Sequence, residues 1–165
     1  MHSNFQTVIL VTLNRIEWRN KMSIISHHAR SEDYDALTIL WRETVVTTHK
    51  FLKATDIDQI QRMLPVYFDA VNLLTWFHGE ELIGFSGTKN YKLEMLFLDV
   101  RCLHQGYGSQ ILERLINENH IQTVDVNEQN PDALAFYQHN GFHIANRDAE
   151  DNQGRPFPIL HLKLT

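Results

Sequence analysis

One cysteine, Cys102, stands alone among 165 residues, so no intramolecular disulfide can staple the fold, and a reducing cytoplasmic setting is expected. Cys102 is then read as a small packed residue. No apolar run approaches the roughly 20 residues needed to cross a bilayer. The apolar stretch Val8–Leu13 is short and has no basic region before it, which excludes a good secretory signal and leaves no membrane role expected. Lys and Arg form no cluster and the net charge is -5, which disfavours nucleic acid as a partner and mildly favours a cationic or amine substrate. The 10 histidines lack the paired spacing of a zinc site, so no metal is expected. A nucleotide-binding reading lacks both a Walker lysine and a full GxGxxG fingerprint.

What is present is enough hydrophobic sequence, 43% of the chain, to bury one continuous core, so a single domain is expected. Leu37, Leu40, Trp41, Thr44 and Val45 repeat at helical spacing from Ser31 onward, giving a first helix that ends near Thr48 or His49, with Ser31 its expected cap and Ile24–Ile25 an expected strand before it. A short second helix spans Asp56–Leu64 and is stopped by Pro65. Ala70–Phe77 and Leu82–Thr88 read as a hairpin, and Lys92–Leu98 continues the sheet. Gly108–Asn119 is a helix whose Ile111, Leu112, Leu115 and Ile116 share one face. Thr123–Val126 is a strand, Pro131–Asn140 a helix, and Phe142–Arg147 with Ile159–Lys163 a closing hairpin.

The densest signal is VNEQNPDALAFYQHNGF at 126–142. Asn130 suits an N-cap and Pro131 the first helical position, where a missing N–H costs nothing. Ala133, Phe136, Tyr137 and Asn140 then share a face, and Gly141 can take the left-handed conformation that ends the helix. Upstream, LEMLFLDVRCLHQGYGSQIL at 93–112 joins a strand to a helix through Gly106 and Gly108. A glycine turn opening a helix presents converging N–H groups and the positive end of the helix dipole, which suits a pyrophosphate. The bland reading is a plain strand-to-helix turn.

These two blocks, in this order, resemble the motifs of the GNAT superfamily of N-acetyltransferases. DNQGRPFPIL at 151–160 and the Thr-His-x-Phe-Leu segment at 48–52 resemble a small bacterial subgroup, which extends the likeness to most of residues 22–165. The resemblance implies an α/β fold, a GNAT-like three-layer sandwich with a mixed central β-sheet flanked by helices. It also implies acetyl-CoA as co-substrate, held by the backbone of Leu96, Phe97 and Leu98, by the turn Leu103, His104, Gln105, Gly106, Tyr107, Gly108 and Ser109, and near Asn130. Its strand would part from the next one to admit the pantetheine arm. Tyr137 matches the family's general acid, which protonates the departing thiolate, although a tyrosine filling the helix–sheet seam would look the same. The family usually carries Arg or Gln and then Gly where this chain has Leu103 and His104, so His104 must adopt whatever backbone angle glycine would have taken. His104 could offset weaker cofactor binding through a phosphate contact.

An attacking amine arrives protonated at neutral pH. Glu94 is the candidate base and His49 the competitor; a carboxyl near pKa 4.3 would need burial or a relaying water to serve. A solvated or ion-paired Glu94 is the bland alternative. Trp41, His49 and Phe51 are the candidate acceptor wall, with Trp41 readable as core. The acceptor is expected to be a small-molecule amine or a protein amine, and the chain a monomer or homodimer. A non-catalytic acyl-CoA-binding module is the competing class. Residues 1–21 are expected to be an N-terminal extension, a translated leader before a natural start at Met22, because Trp18-Arg19 codons can contain a GGAGG ribosome-binding sequence.

Overall fold

A computed structural model of the chain describes residues 23–165, so the expected leader at 1–21 and the start at Met22 lie outside the described residues. The strands are β1 (Ile24–His28), β2 (Asn72–His78), β3 (Glu81–Lys89), β4 (Lys92–Leu98), β5 (Thr123–Asn127), β6 (Phe142–Asp148) and β7 (Ile159–Leu164). The α-helices are α1 (Tyr34–Thr48), α2 (Ala54–Asp69), α3 (Tyr107–Asn119) and α4 (Pro131–His139). The strands form a seven-stranded sheet in the order β1-β2-β3-β4-β5-β7-β6, antiparallel except where β4 meets β5. The expected three-layer mixed α/β sandwich is therefore the fold.

Each face of the sheet carries its own core. Leu37, Leu40, Trp41 and Val45 of α1 and Ile57, Leu64 and Phe68 of α2 cover Leu73 and Phe85 on one face. Ile111, Leu112 and Leu115 of α3 and Tyr137 of α4 cover Trp76, Leu93, Val124 and Leu162 on the other. Both faces of the central strands are covered, so β3 is buried continuously from Ile83 to Thr88 instead of alternating between buried and exposed.

Two expectations about helix ends are corrected. Pro65 does not stop α2, which runs on to Asp69 with Pro65 inside it. A mid-helix proline costs on the order of 3 kcal/mol, but Leu64 and Phe68, each 1% exposed, flank it. Burying two such side chains contributes about 1.5–3 kcal/mol each, which offsets the loss. Ser31 does not cap α1; it begins a 3-10 turn, Ser31–Asp33, and Asp33 accepts from the Arg30 amide at 2.7 Å.

The expected caps of α4 hold. Asn130 Oδ1 accepts from the Ala133 amide at 3.1 Å, Pro131 is the first helical residue, and Gly141 turns at φ +91°. Cys102 is buried, and burial pushes its thiol up.

Candidate active site

The site begins with a β-bulge. Gly87 pairs with Met95 but Thr88 pairs with Leu93, so Glu94 is the extra residue on β4. An extra residue reverses the alternation of side chains beyond it. Leu93 accordingly belongs to the α3–α4 core, whereas Met95 and Phe97 pack into the α1–α2 core, leaving Leu96 and Leu98 on the α3 side. At the same point β4 parts from β5, since only Lys92–Thr123 and Leu93–Val124 are in register. From Glu94 to Leu98 the edge of β4 that faces β5 has no strand partner.

The opening is a cleft of about 130 Å³, lined by His49, Glu94, Met95, Leu96 and Phe97, by Val124–Asn127 of β5, and by Asn130, Ala133 and Tyr137. That is smaller than the ~300–1,000 Å³ of a pocket that encloses a whole ligand. It suits the reacting end of a long molecule that passes between the strands.

Tyr137 is 8% exposed and holds edge-on ring contacts with Phe136 at 5.0 Å and Phe142 at 5.8 Å. Among the described residues no hydrogen bond reaches its hydroxyl, yet no buried side-chain N or O is left occluded without a partner. The hydroxyl therefore opens to the cleft that the residue lines. Burial pushes the phenol well above its ordinary pKa, further than a simple match to a free thiol would require. A thiolate formed in the same dry cleft is destabilised by the same desolvation, so donor and acceptor rise together. Asn130 spends Oδ1 on its cap, which leaves Nδ2 as its free polar group at the cleft.

The glycine turn lies at the N-terminus of α3. Its first i to i−4 hydrogen bond runs from the Gln110 amide to the Gly106 carbonyl at 3.2 Å. The amides of Gly106, Tyr107, Gly108 and Ser109 thus precede the helical ladder and have no intrahelical acceptor. Gly106 sits at φ +85°, and a side chain there would meet nothing within 4 Å, so the approach is clear. These groups fit a pyrophosphate. Three neighbours behave differently from expectation. Gly108 is buried, and its lack of a side chain makes room for Phe136, not for an incoming ligand. The Leu103 amide turns back to the Val100 carbonyl at 3.4 Å, and the Gln105 side chain donates to the Arg101 carbonyl at 2.5 Å. His104 does adopt the angle a glycine would take, φ +59°, and is exposed.

On the acceptor side, α1 ends at the cleft. The Thr44 hydroxyl lies 2.6 Å from the Leu98 carbonyl and 2.9 Å from the Leu40 carbonyl of its own helix, so its one proton, shared between them, ties α1 to the end of β4. Trp41 is 3% exposed and stacks edge-on behind Phe97 at 6.5 Å, so it is core that supports the wall and does not line the cleft. His49 does line it, half-buried beside Phe97 at 6.3 Å and Phe51 at 5.5 Å, and burial lowers its pKa. Phe51 stands outside the enclosed part and touches Phe157 at 6.0 Å. Phe157, which the sequence reading missed, is the ring neighbour of Phe51 and likewise stands outside the enclosed cleft. It is set by a turn in which the Arg155 side chain grips Asp151 at 2.6 Å, a pattern whose distant partner no local spacing reveals.

Glu94 is exposed and pairs with Lys92 at 3.6 Å. Lys92 also pairs with Asp125 at 2.6 Å, and His161 joins Asp125 at 2.7 Å to Asp148 at 2.9 Å. Both His161 ring nitrogens face carboxylates, an arrangement that favours the protonated ring. The Asp148 hydrogen bond first, against some desolvation, keeps its pKa raised. This row crosses four strands and puts three carboxylates against two cations beside the cleft, a placement only the sheet order creates.

A sheet split at a bulge, with open amides at one end and a buried phenol at the cleft, fits a long phosphate-bearing thioester such as an acyl-CoA. Comparison with known proteins gives the family. Residues 31–158 match the acetyltransferase (GNAT) domain. The peptidyl-lysine N-acetyltransferase YjaB of Escherichia coli is 30% identical over 148 residues, covering 86% of this chain and 97% of that protein. The solution structure of apo YjaB from Escherichia coli superposes with a TM-score of 0.79 at 27% identity, covering 87% of this chain and 99% of the other. The PaiA N-acetyltransferase of Thermoplasma acidophilum, solved with coenzyme A, shares the fold with a TM-score of 0.63 at 22% identity, covering 86% and 99% of the two chains. The chain belongs to the GNAT acetyltransferase family and is an acetyl-CoA-dependent N-acetyltransferase.

Among the described residues no helix is long and apolar enough to cross a membrane. No group of three or more His, Cys, Asp or Glu among them could hold a metal ion.

Proposed function

We propose that this protein acetylates the ε-amine of lysine in a peptide or protein, by direct attack of the amine on the thioester of acetyl-CoA. The observation that carries the mechanism is the cleft at the Glu94 bulge, where the free edge of β4 and the Tyr137 hydroxyl meet. The acceptor class rests on the peptidyl-lysine activity in the name of YjaB and on the acidic rim of Glu94 and Asp125, which suits a cationic side chain.

Acetyl-CoA supplies an activated thioester carbonyl and a thiol leaving group. The amides of Gly106–Ser109 hold the pyrophosphate at the positive end of α3, and the unpaired backbone of Leu96–Leu98 holds the pantetheine arm. A β4 amide aimed at the thioester oxygen stabilises developing negative charge, an effect on the order of 3 kcal/mol. Tyr137, kept protonated by burial, hands its proton to the departing sulfur. Glu94 and Asp125 draw the ammonium of the acceptor to the cleft, and a neighbouring base removes its proton.

Thermal unfolding with acetyl-CoA tests the first half of this reading, because a ligand at about 100 times its Kd stabilises the native state by about 2.7 kcal/mol. Turnover on a lysine peptide, spermidine and free amino acids tests the second. No acetyl-CoA-dependent shift ends the assignment. A shift without turnover on any amine gives the acyl-CoA sensor instead, a reading favoured only by the strained His104 in the cradle.

A further inference from the structure

We infer that Thr48 is a positioning residue that fixes the tautomer of His49 and leaves Nε2 as the proton acceptor for the incoming amine; this rests on the acetyltransferase reading above. The Thr48 hydroxyl lies 2.8 Å from the Thr44 carbonyl and 2.8 Å from His49 Nδ1. A carbonyl oxygen can only accept, so with the hydroxyl proton directed to the Thr44 carbonyl, as the i−4 geometry of the helix favours, Thr48 Oγ1 offers the ring a lone pair. Thr48 Oγ1 must then accept from His49, which places the ring proton on Nδ1. The lone pair of the neutral ring is left on Nε2.

The surroundings agree with this assignment. His49 lines the cleft, no hydrogen bond among the described residues reaches Nε2, and no buried side-chain nitrogen is occluded without a partner, so Nε2 is open. Burial favours the neutral ring before the amine arrives. Phe51 and Phe97 pack on its sides and restrict rotation. The other titratable groups lining the cleft are Glu94, Asp125 and Tyr137, and both carboxylates pair with Lys92. Lys50 turns away, donating to the Val46 carbonyl at 2.9 Å. In the step itself an N–H bond of the ammonium breaks and an Nε2–H bond forms. The Nδ1–H stays donated to Thr48, and the proton leaves later to solvent.

Thr48 is also tied to the cofactor strand. Its hydroxyl rests on the carbonyl of Thr44, whose own hydroxyl shares its proton between Leu98 at the end of β4 and Leu40 in its own helix. The position of the basic nitrogen is thereby set by the strand that lines the cleft.

Imidazole nitrogen NMR reads the tautomer directly, and kinetics on a lysine peptide across pH reads its use. In the wild type and in Thr48→Ser, the proton is expected on Nδ1 and turnover is expected to rise with pH through a midpoint below the ordinary histidine value of about 6.5. Thr48→Val should mix the tautomers and lower kcat by about tenfold with the KM for acetyl-CoA unchanged, while Thr48→Ser restores both. His49→Gln should lower kcat by on the order of 10²-fold or more. A wild-type ring protonated on Nε2, or a folded Thr48→Val protein with wild-type kcat at every pH, overturns the assignment. If no amine is acetylated, the reading of the preceding section fails, and the tautomer measurement, which needs no turnover, still decides the role of Thr48.

Discussion

The ring of Phe136 occupies the space that a side chain on Gly108 would need: a Cβ there would lie 3.1 Å from Cε2 and 3.3 Å from Cζ of the ring. The glycine turn that opens α3 and the aromatic pair of α4 are therefore one packed unit, although 28 residues separate them in the chain. Tyr137 is next in sequence to Phe136 and touches it at 5.0 Å, so the fit at Gly108 also sets the phenol.

Gly108→Ala and Phe136→Leu should consequently be coupled. Alanine gains up to about 1 kcal/mol of helix propensity, but only where the ring does not crowd it. A double-mutant cycle followed by urea unfolding should give an interaction of at least about 0.5 kcal/mol, the alanine being better tolerated beside the smaller leucine side chain than beside the native phenyl ring. Additive effects would show that the two helices do not share this contact.

Tyr137→Phe should keep its fold, because the hydroxyl makes no hydrogen bond among the described residues, and should keep its acetyl-CoA-induced stabilisation. Turnover should fall by about 10²–10⁴-fold if the phenol is the acid. Because burial raises its pKa, wild-type kcat should not decline through the ordinary phenol value of about 10 as pH rises. Steady-state rates for both proteins across alkaline pH check this.

His104→Gly should stabilise the protein by up to about 1 kcal/mol. Relief of the left-handed strain at φ +59° is partly offset by the added freedom of the unfolded chain. Calorimetry should show a Tm raised by about 2–4 °C for that gain. The acetyl-CoA Kd of the same variant reports whether the imidazole touches a phosphate: weaker binding despite a more stable fold requires that contact.

His161→Gln removes the imidazolium between Asp125 and Asp148. The folded pKa of His161 is raised, so its stabilisation is fully present below the unfolded value of about 6.5 and is lost as pH rises through the folded value. Partial exposure keeps the effect to no more than about 1 kcal/mol. Denaturation at pH 6 and pH 9 should show the wild type ahead of the variant at the lower pH and the gap closing at the higher. A gap independent of pH would assign the loss to packing alone.

Much of this was legible in the chain. Asn130, Pro131 and Gly141 announce the start and end of α4 because caps act on neighbouring backbone groups, and they do so in the structure. Pro65 misled for the complementary reason: its local penalty is real, but burial of Leu64 and Phe68 against distant residues outweighs it. Trp41 was readable as core from its helical spacing, and the structure packs it behind Phe97, whereas the neighbour of Phe51, Phe157, lies more than 100 residues away in the chain.

The sequence by itself determined the order of elements, the two motif blocks, the tyrosine at the helix–sheet seam and the angle that His104 would have to accept. All of these depend on residues within a few positions of one another. Only the tertiary structure decided that Glu94 is a bulge residue left exposed, that Gly108 serves Phe136, and that Asp125 and His161 complete a charged row. Those facts depend on strand register and on which groups compete for a single space, and such competition arises only when distant segments meet.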